Sequence, residues 1–130
     1  MSYSNPKTCV YNFPNMDFGA AAGATTHSLG GPSGMKGRLV EVGVAATEVF
    51  VTATTLAHVQ VGTSADLDAY AKLNIPTASA DNTVINSGDD TDAIIDADIP
   101  ADTCVHVTLT EGTGASLTGQ GYPYVIIDWY

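Results

Sequence analysis

From residue 92 to residue 130 apolar and polar side chains alternate in two runs, separated by a stretch rich in glycine. That period of two belongs to strands and not to helices. In the run 103–110, Thr103, Val105, Val107 and Leu109 share one face, and Cys104, His106, Thr108 and Thr110 share the other. Residues 125–130 form a second such run, so the C-terminal residues are expected in a sheet.

The same rhythm recurs upstream. In the strand expected from residue 38 onward, Val40, Val42 and Val44 point one way and Leu39, Glu41, Gly43 and Ala45 the other. Residues 47–54 repeat a β-branched pattern, and 57–61 place Val59 and Val61 inward with His58 and Gln60 on the polar side. Short strands are also expected at 82–86 and 93–99, with turns at 87–90 and at Pro100. Residues 63–73 break the rhythm. Thr63 with Asp66 resembles an N-terminal cap, Asp66 and Asp68 suit the positive end of a helix dipole, and Lys72 suits the negative end. One short helix is predicted there, ending before Pro76.

Seven or eight short strands favour an all-β, two-sheet sandwich of the jelly-roll or Greek-key kind. Residues 37–130 are read as this sandwich domain. Residues 1–36 are read as an extended N-terminal arm with one strand, 8–13, in which Cys9, Tyr11 and Phe13 share a face. The glycines and small residues of 19–34 make a regular element there improbable. Loops this long are uncommon in compact domains unless they serve a purpose, which favours an arm ordered against a neighbour.

Charge removes two function classes. Fourteen acidic residues against four basic ones give a net charge of -10. Such a chain is not drawn to a phosphate backbone or to an anionic membrane, so neither nucleic acid nor membrane is expected as a partner. The cations Lys7, Lys36, Arg38 and Lys72 all precede residue 73, whereas nine acids fall between Asp66 and Asp102, so one face or edge is expected to be strongly negative. There is no apolar run long enough to span a bilayer, and the start lacks the apolar core of a secretory signal. Synthesis and use without export are expected, with Cys9 and Cys104 as free thiols.

No constellation assembles an active site. The sequence has no Gly-x-Ser-x-Gly elbow for His27, His58 or His106 to serve, and Cys104 with His106 lacks an orienting third group. Asp89, Asp90, Asp92, Asp96 and Asp98 lack the glycine and closing Glu of a calcium loop, which favours a solvated acidic loop. The glycines of 112–121 lack a phosphate-binding Lys and precede a strand, so they read as a hairpin connection. No catalytic residue, metal or cofactor is expected.

Several segments resemble small structural proteins of tailed bacteriophages, of the head decoration or cement type. The likeness rests on Lys36, Gly37, Arg38, Leu39 and Val40, on Val59 to Ser64 followed by Asp68 to Ala71, on 92–108, and on the closing 125–130. It spans residues 36–130, with a looser match of the arm. The resemblance implies a jelly-roll-like fold, self-association, and attachment to the outside of a phage head, with the major capsid protein as partner. The protein would be made in the host cytoplasm and reside on the virion. A homo-oligomer is expected, a trimer if it sits on lattice three-fold positions. Residues Tyr3, Tyr11, Phe13, Met16 and Phe18 of the arm are the expected interface, because aromatic and Met side chains are favoured at such surfaces. The alternative is a phage tail or fibre module that binds a receptor or glycan, for which Tyr122, Tyr124 and Trp129 are the concentrated aromatics.

Overall fold

The computed structural model describes residues 7–20, 23–52, 54–90 and 92–130. Ten strands occur among them: β1 Lys7–Asn12, β2 Met16–Asp17, β3 Ala24–Leu29, β4 Gly37–Ala46, β5 His58–Gly62, β6 Ala71–Asn74, β7 Val84–Asn86, β8 Asp98–Ile99, β9 Val105–Thr110 and β10 Gln120–Trp129. They form two antiparallel sheets. One has six strands, with β1-β10-β4-β7 in order, β2 also on β10 and β8 also on β4; the other has four, in the order β3-β9-β5-β6.

The inward residues of both sheets make a single core. Val42, Val44, Val125, Ile127 and Trp129 come from the six-stranded sheet, and Val59, Val61, Leu73, Val105, Val107 and Leu109 come from the other. Each such burial is worth roughly 1.5–3 kcal/mol, so the alternating valines and leucines fix which face of every strand turns inward.

Residues 63–73 are not helical. The Thr63 hydroxyl accepts the Asp66 N–H (3.1 Å), and the Thr63 N–H donates to the Asp66 carbonyl (2.8 Å), so the cap-like pair closes a turn. Ala71, Leu73 and Ile75 are then buried at alternate positions, and β6 pairs with β5, Leu73 opposite Val59 and Ala71 opposite Val61. Packing with period two outweighs a two-turn helix that would have little to bury. No helix forms among the described residues.

Four further expectations change. In β4, Val40 is an extra residue: Glu41 stands opposite Ile126 and Leu39 opposite Ile127. This β-bulge reverses the phase, so that Leu39 joins Val42 and Val44 in the core while Val40 faces solvent. Among the described residues of 47–54 there is no strand, only Phe50 is buried, and contacts are single bridges such as Phe50 to Ser79. In 93–99 only β8 and a bridge from Ile94 to Ala71 are extended. Residues 111–119 are not a hairpin connection, because β9 and β10 lie in different sheets.

The described part of the 1–36 region is built into the sandwich. β1 pairs along β10 from Lys7 opposite Trp129 to Asn12 opposite Tyr124, and β3, in the stretch expected to lack regular structure, pairs along β9. Threonines and His27 suit an extended edge strand, and Gly23 and Gly30 punctuate it.

Candidate functional site: the outer faces of the sandwich

Of the expected interface residues, Tyr3 lies outside the described residues. The other four side chains turn toward the protein's own core. Phe18 is buried against Phe50, with ring centroids 5.4 Å apart. Tyr11 and Met16 are half-buried on the core, and the Tyr11 hydroxyl accepts the indole N–H of Trp129 (2.8 Å). Phe13 stacks on His27 at 4.9 Å and 24°, joining the two sheets at their β1 and β3 edges.

The six-stranded sheet instead presents several exposed apolar side chains on its outer face, among polar ones. Val10 (54% exposed) lies across from Ile126, which neighbours the bulge at Val40 (46%). Two rows along, Tyr122 (51%) lies across from Ala45, and Ala45 from Val84 (51%). Between these rows the Tyr124 ring lies over Gly43, where an added Cβ would come within 2.5 Å of it. The bulge also positions Glu41 so that its carboxylate accepts the Tyr124 hydroxyl proton bond (2.5 Å). Arg38 and Asp128 stand opposite each other at one end, where Thr8 donates to Asp128 (2.5 Å).

Burial, followed by the bond to the Glu41 carboxylate, pushes the Tyr124 phenol well above its ordinary range. Tyr11 and Tyr70 are raised too, chiefly by burial. The folded state therefore holds phenol protons that the unfolded chain releases from about pH 10, so stability falls as pH rises above that value. Urea melts at pH 9 and pH 11 are expected to show this loss, and a smaller loss in Tyr124→Phe. An equal loss in the variant would refute the assignment to Tyr124.

The four-stranded sheet presents a polar outer face. His58, Gln60, Lys72, Asn74, His106, Thr108 and Thr110 lie across its strands. His58 is half-buried, with Nδ1 3.3 Å from the Leu56 carbonyl, and burial lowers its pKa below the ordinary histidine value. Ser28 Oγ lies 3.5 Å from His106 Nδ1. Cys104 is an exposed free thiol, and Cys9 is a partly buried one.

The remaining candidates make local structure. Asp90 and Asp96 accept the N–H groups of Asp92 (3.1 Å) and Asp98 (3.0 Å), closing turns, and no metal-sized group of three His, Cys, Asp or Glu occurs among the described residues. The glycine-rich 112–119 stretch is fastened by bridges from Thr113 to Thr55 and from Thr118 to Val51, and by Glu48, which accepts the Gly119 N–H (2.9 Å). Trp129 is buried, which leaves Tyr122 and the half-buried Tyr124 as the accessible members of the aromatic trio.

Sequence reasoning singled out Tyr122 and Tyr124 but missed Val10, Val40, Val84 and Ile126. The signal was there for Val10 and Ile126: both are β-branched residues at positions that strand alternation assigns to solvent. No family model, curated protein or solved structure matches the chain.

Proposed function

We propose that this protein is a decoration or cement protein of a tailed-bacteriophage head. It binds the outside of the shell, bridges major capsid protein subunits as a homo-oligomer, and works by adhesion without making or breaking bonds. The observation that carries this reading is the group of exposed apolar side chains on the outer face of the six-stranded sheet, on a body with a net charge of -10. Clustered exposed apolar surface on a folded domain marks an interaction site, and Tyr is among the residues enriched there. The segment resemblance described above supports the same reading. So does the chain's repeated passage between sheets, from β3 to β4 to β5 and from β9 to β10, which suits a jelly-roll-like or Greek-key sandwich.

Internal pressure from packaged DNA strains the interfaces of a shell. A protein seated across two subunits adds buried contact that rupture would have to break. The acidic remainder keeps the coated particle soluble and away from free nucleic acid.

The test uses capsids assembled from the major capsid protein encoded with this chain and lacking decoration. Added protein is expected to bind them and to raise their rupture temperature. Val40→Asp and Val84→Asp are expected to abolish binding, while the free variants melt within about 0.5 kcal/mol of the wild type, because both side chains already face water. Failure of the wild type to bind bare shells would remove the reading.

A further inference from the structure

Strand β3 closes one side of the four-stranded sheet, and among the described residues no strand pairs with its outer side. Natural edge strands are guarded by charge, by proline or by being very short. β1 begins at Lys7 and is bracketed in sequence by Pro6 and Pro14. β7 and β8 have three and two residues. β6 has four, carries Lys72, follows the turn bearing Asp66 and Asp68, and is bridged at Ala71 by Ile94. β3 has six residues, and no charged side chain occurs anywhere from residue 18 to residue 35. In a protein of net charge -10, this is the edge where two copies can meet with least repulsion.

Register settles which of its groups face outward. The Glu111 N–H donates to the carbonyl of Gly23 directly opposite (3.2 Å). Antiparallel alternation then assigns the bonds toward β9 to Thr25, His27 and Leu29, and turns the N–H and C=O groups of Ala24, Thr26 and Ser28 outward. These three residues are symmetric about Thr26.

We propose that β3 pairs antiparallel with β3 of a second copy of this chain, about a two-fold axis at Thr26, joining the two four-stranded sheets into one. Ala24 then stands opposite Ser28 of the second copy, Thr26 opposite its own equivalent, and Ser28 opposite Ala24. Each pair exchanges two main-chain hydrogen bonds, so every outward group of the edge is satisfied. The pairing brings the inward side chains of the second β3, Thr25, His27 and Leu29, toward the open side of the sandwich, where Tyr11, Phe13 and Met16 are only partly buried. It explains how these half-covered side chains gain further cover. It goes beyond the capsid reading and does not depend on it.

The experiment is sedimentation equilibrium on the purified full chain, without capsids. A concentration-dependent dimer is expected. Thr26→Pro removes an outward donor that β9 does not use, and Thr26→Lys sets like charges face to face on the two-fold. Each is expected to weaken dimerisation on the order of tenfold to a hundredfold. Circular-dichroism melts check that the variants fold; if the proline variant does not, the lysine variant decides. Amide exchange at Thr26 and Ser28 is expected to slow as the protein is concentrated. A wild type that stays monomeric at every concentration, one that forms a trimer, or a dimer undisturbed by Thr26→Lys would overturn the pairing. A wild type that stays monomeric would also remove self-association in solution from the capsid reading, whereas attachment itself is read separately on bare shells.

Discussion

Trp129→Ala is expected to lower the stability of the free protein by about 3–5 kcal/mol, the usual cost of emptying a core site of its largest side chain. Trp129 is 1% exposed at the end of β10, between Lys7 of β1 and Gly37 of β4. Its ring fills space that only glycine leaves free: a Cβ at Gly37 would stand 2.7 Å from the ring, and one at Gly31 would overlap it. The truncation therefore opens a cavity walled by backbone, which collapses poorly. The indole N–H adds a polar contribution, since its bond to Tyr11 is long-range in sequence and ties β10 to β1. Tyr11→Phe leaves that donor without its partner and is expected to cost about 1–3 kcal/mol on its own. Denaturant melts followed by circular dichroism measure both, because Trp129 is the single tryptophan and its fluorescence is lost in the first variant. A Trp129→Ala unfolding free energy within about 1 kcal/mol of the wild type would show that the ring is not the packing centre.

Gly62→Ala is the second large effect. Gly62 ends β5, and a Cβ there would lie 2.5 Å from the Leu67 carbonyl carbon and closer still to the Asp66 oxygen. Those are main-chain atoms of the turn that Thr63 and Asp66 close, so no side chain can swing aside. Overpacking of this kind costs typically 1–3 kcal/mol, and a rigid neighbour puts it at or above the upper end. Gly30→Ala is the matched control: nothing lies within 4 Å of its Cβ position, and a change within about 0.5 kcal/mol is expected. Equal melts for the two variants would mean that the turn yields freely.

The same turn shows where sequence reasoning works and where it stops. Alternation located β5, β9 and the 125–129 part of β10, set Val59 and Val61 inward, and grouped Val105, Val107 and Leu109 on the one face that is buried; the start of β10 at Gln120 was read as part of a glycine-rich connection. Local signals misled at Thr63 and Asp66, where a cap geometry also fits a turn, and the alternation of Ala71, Leu73 and Ile75 decided the outcome. The Val40 bulge carries no composition cue of its own. It follows from the pairing of β4 with β10, which becomes visible only when distant segments are brought together. β3 was illegible for the opposite reason: Thr25, Thr26 and Ser28 suit loops as well as edge strands, and β9 supplies the partner that fixes them. The apolar part of the outer face was half legible, through Tyr122 and Tyr124, since which residues look outward together depends on strand order.

The pairing of β1 with β10 joins segments more than 100 residues apart in sequence. Residues 7–12 wait for residues 124–129, so the nascent chain cannot finish its larger sheet until those residues have been made. Folding is consequently of high contact order, slow compared with that of a helical chain of equal length. Until it is complete, the valines of β4 and the unguarded β3 backbone are open to other nascent chains, which makes expression yield sensitive to chaperones and to temperature.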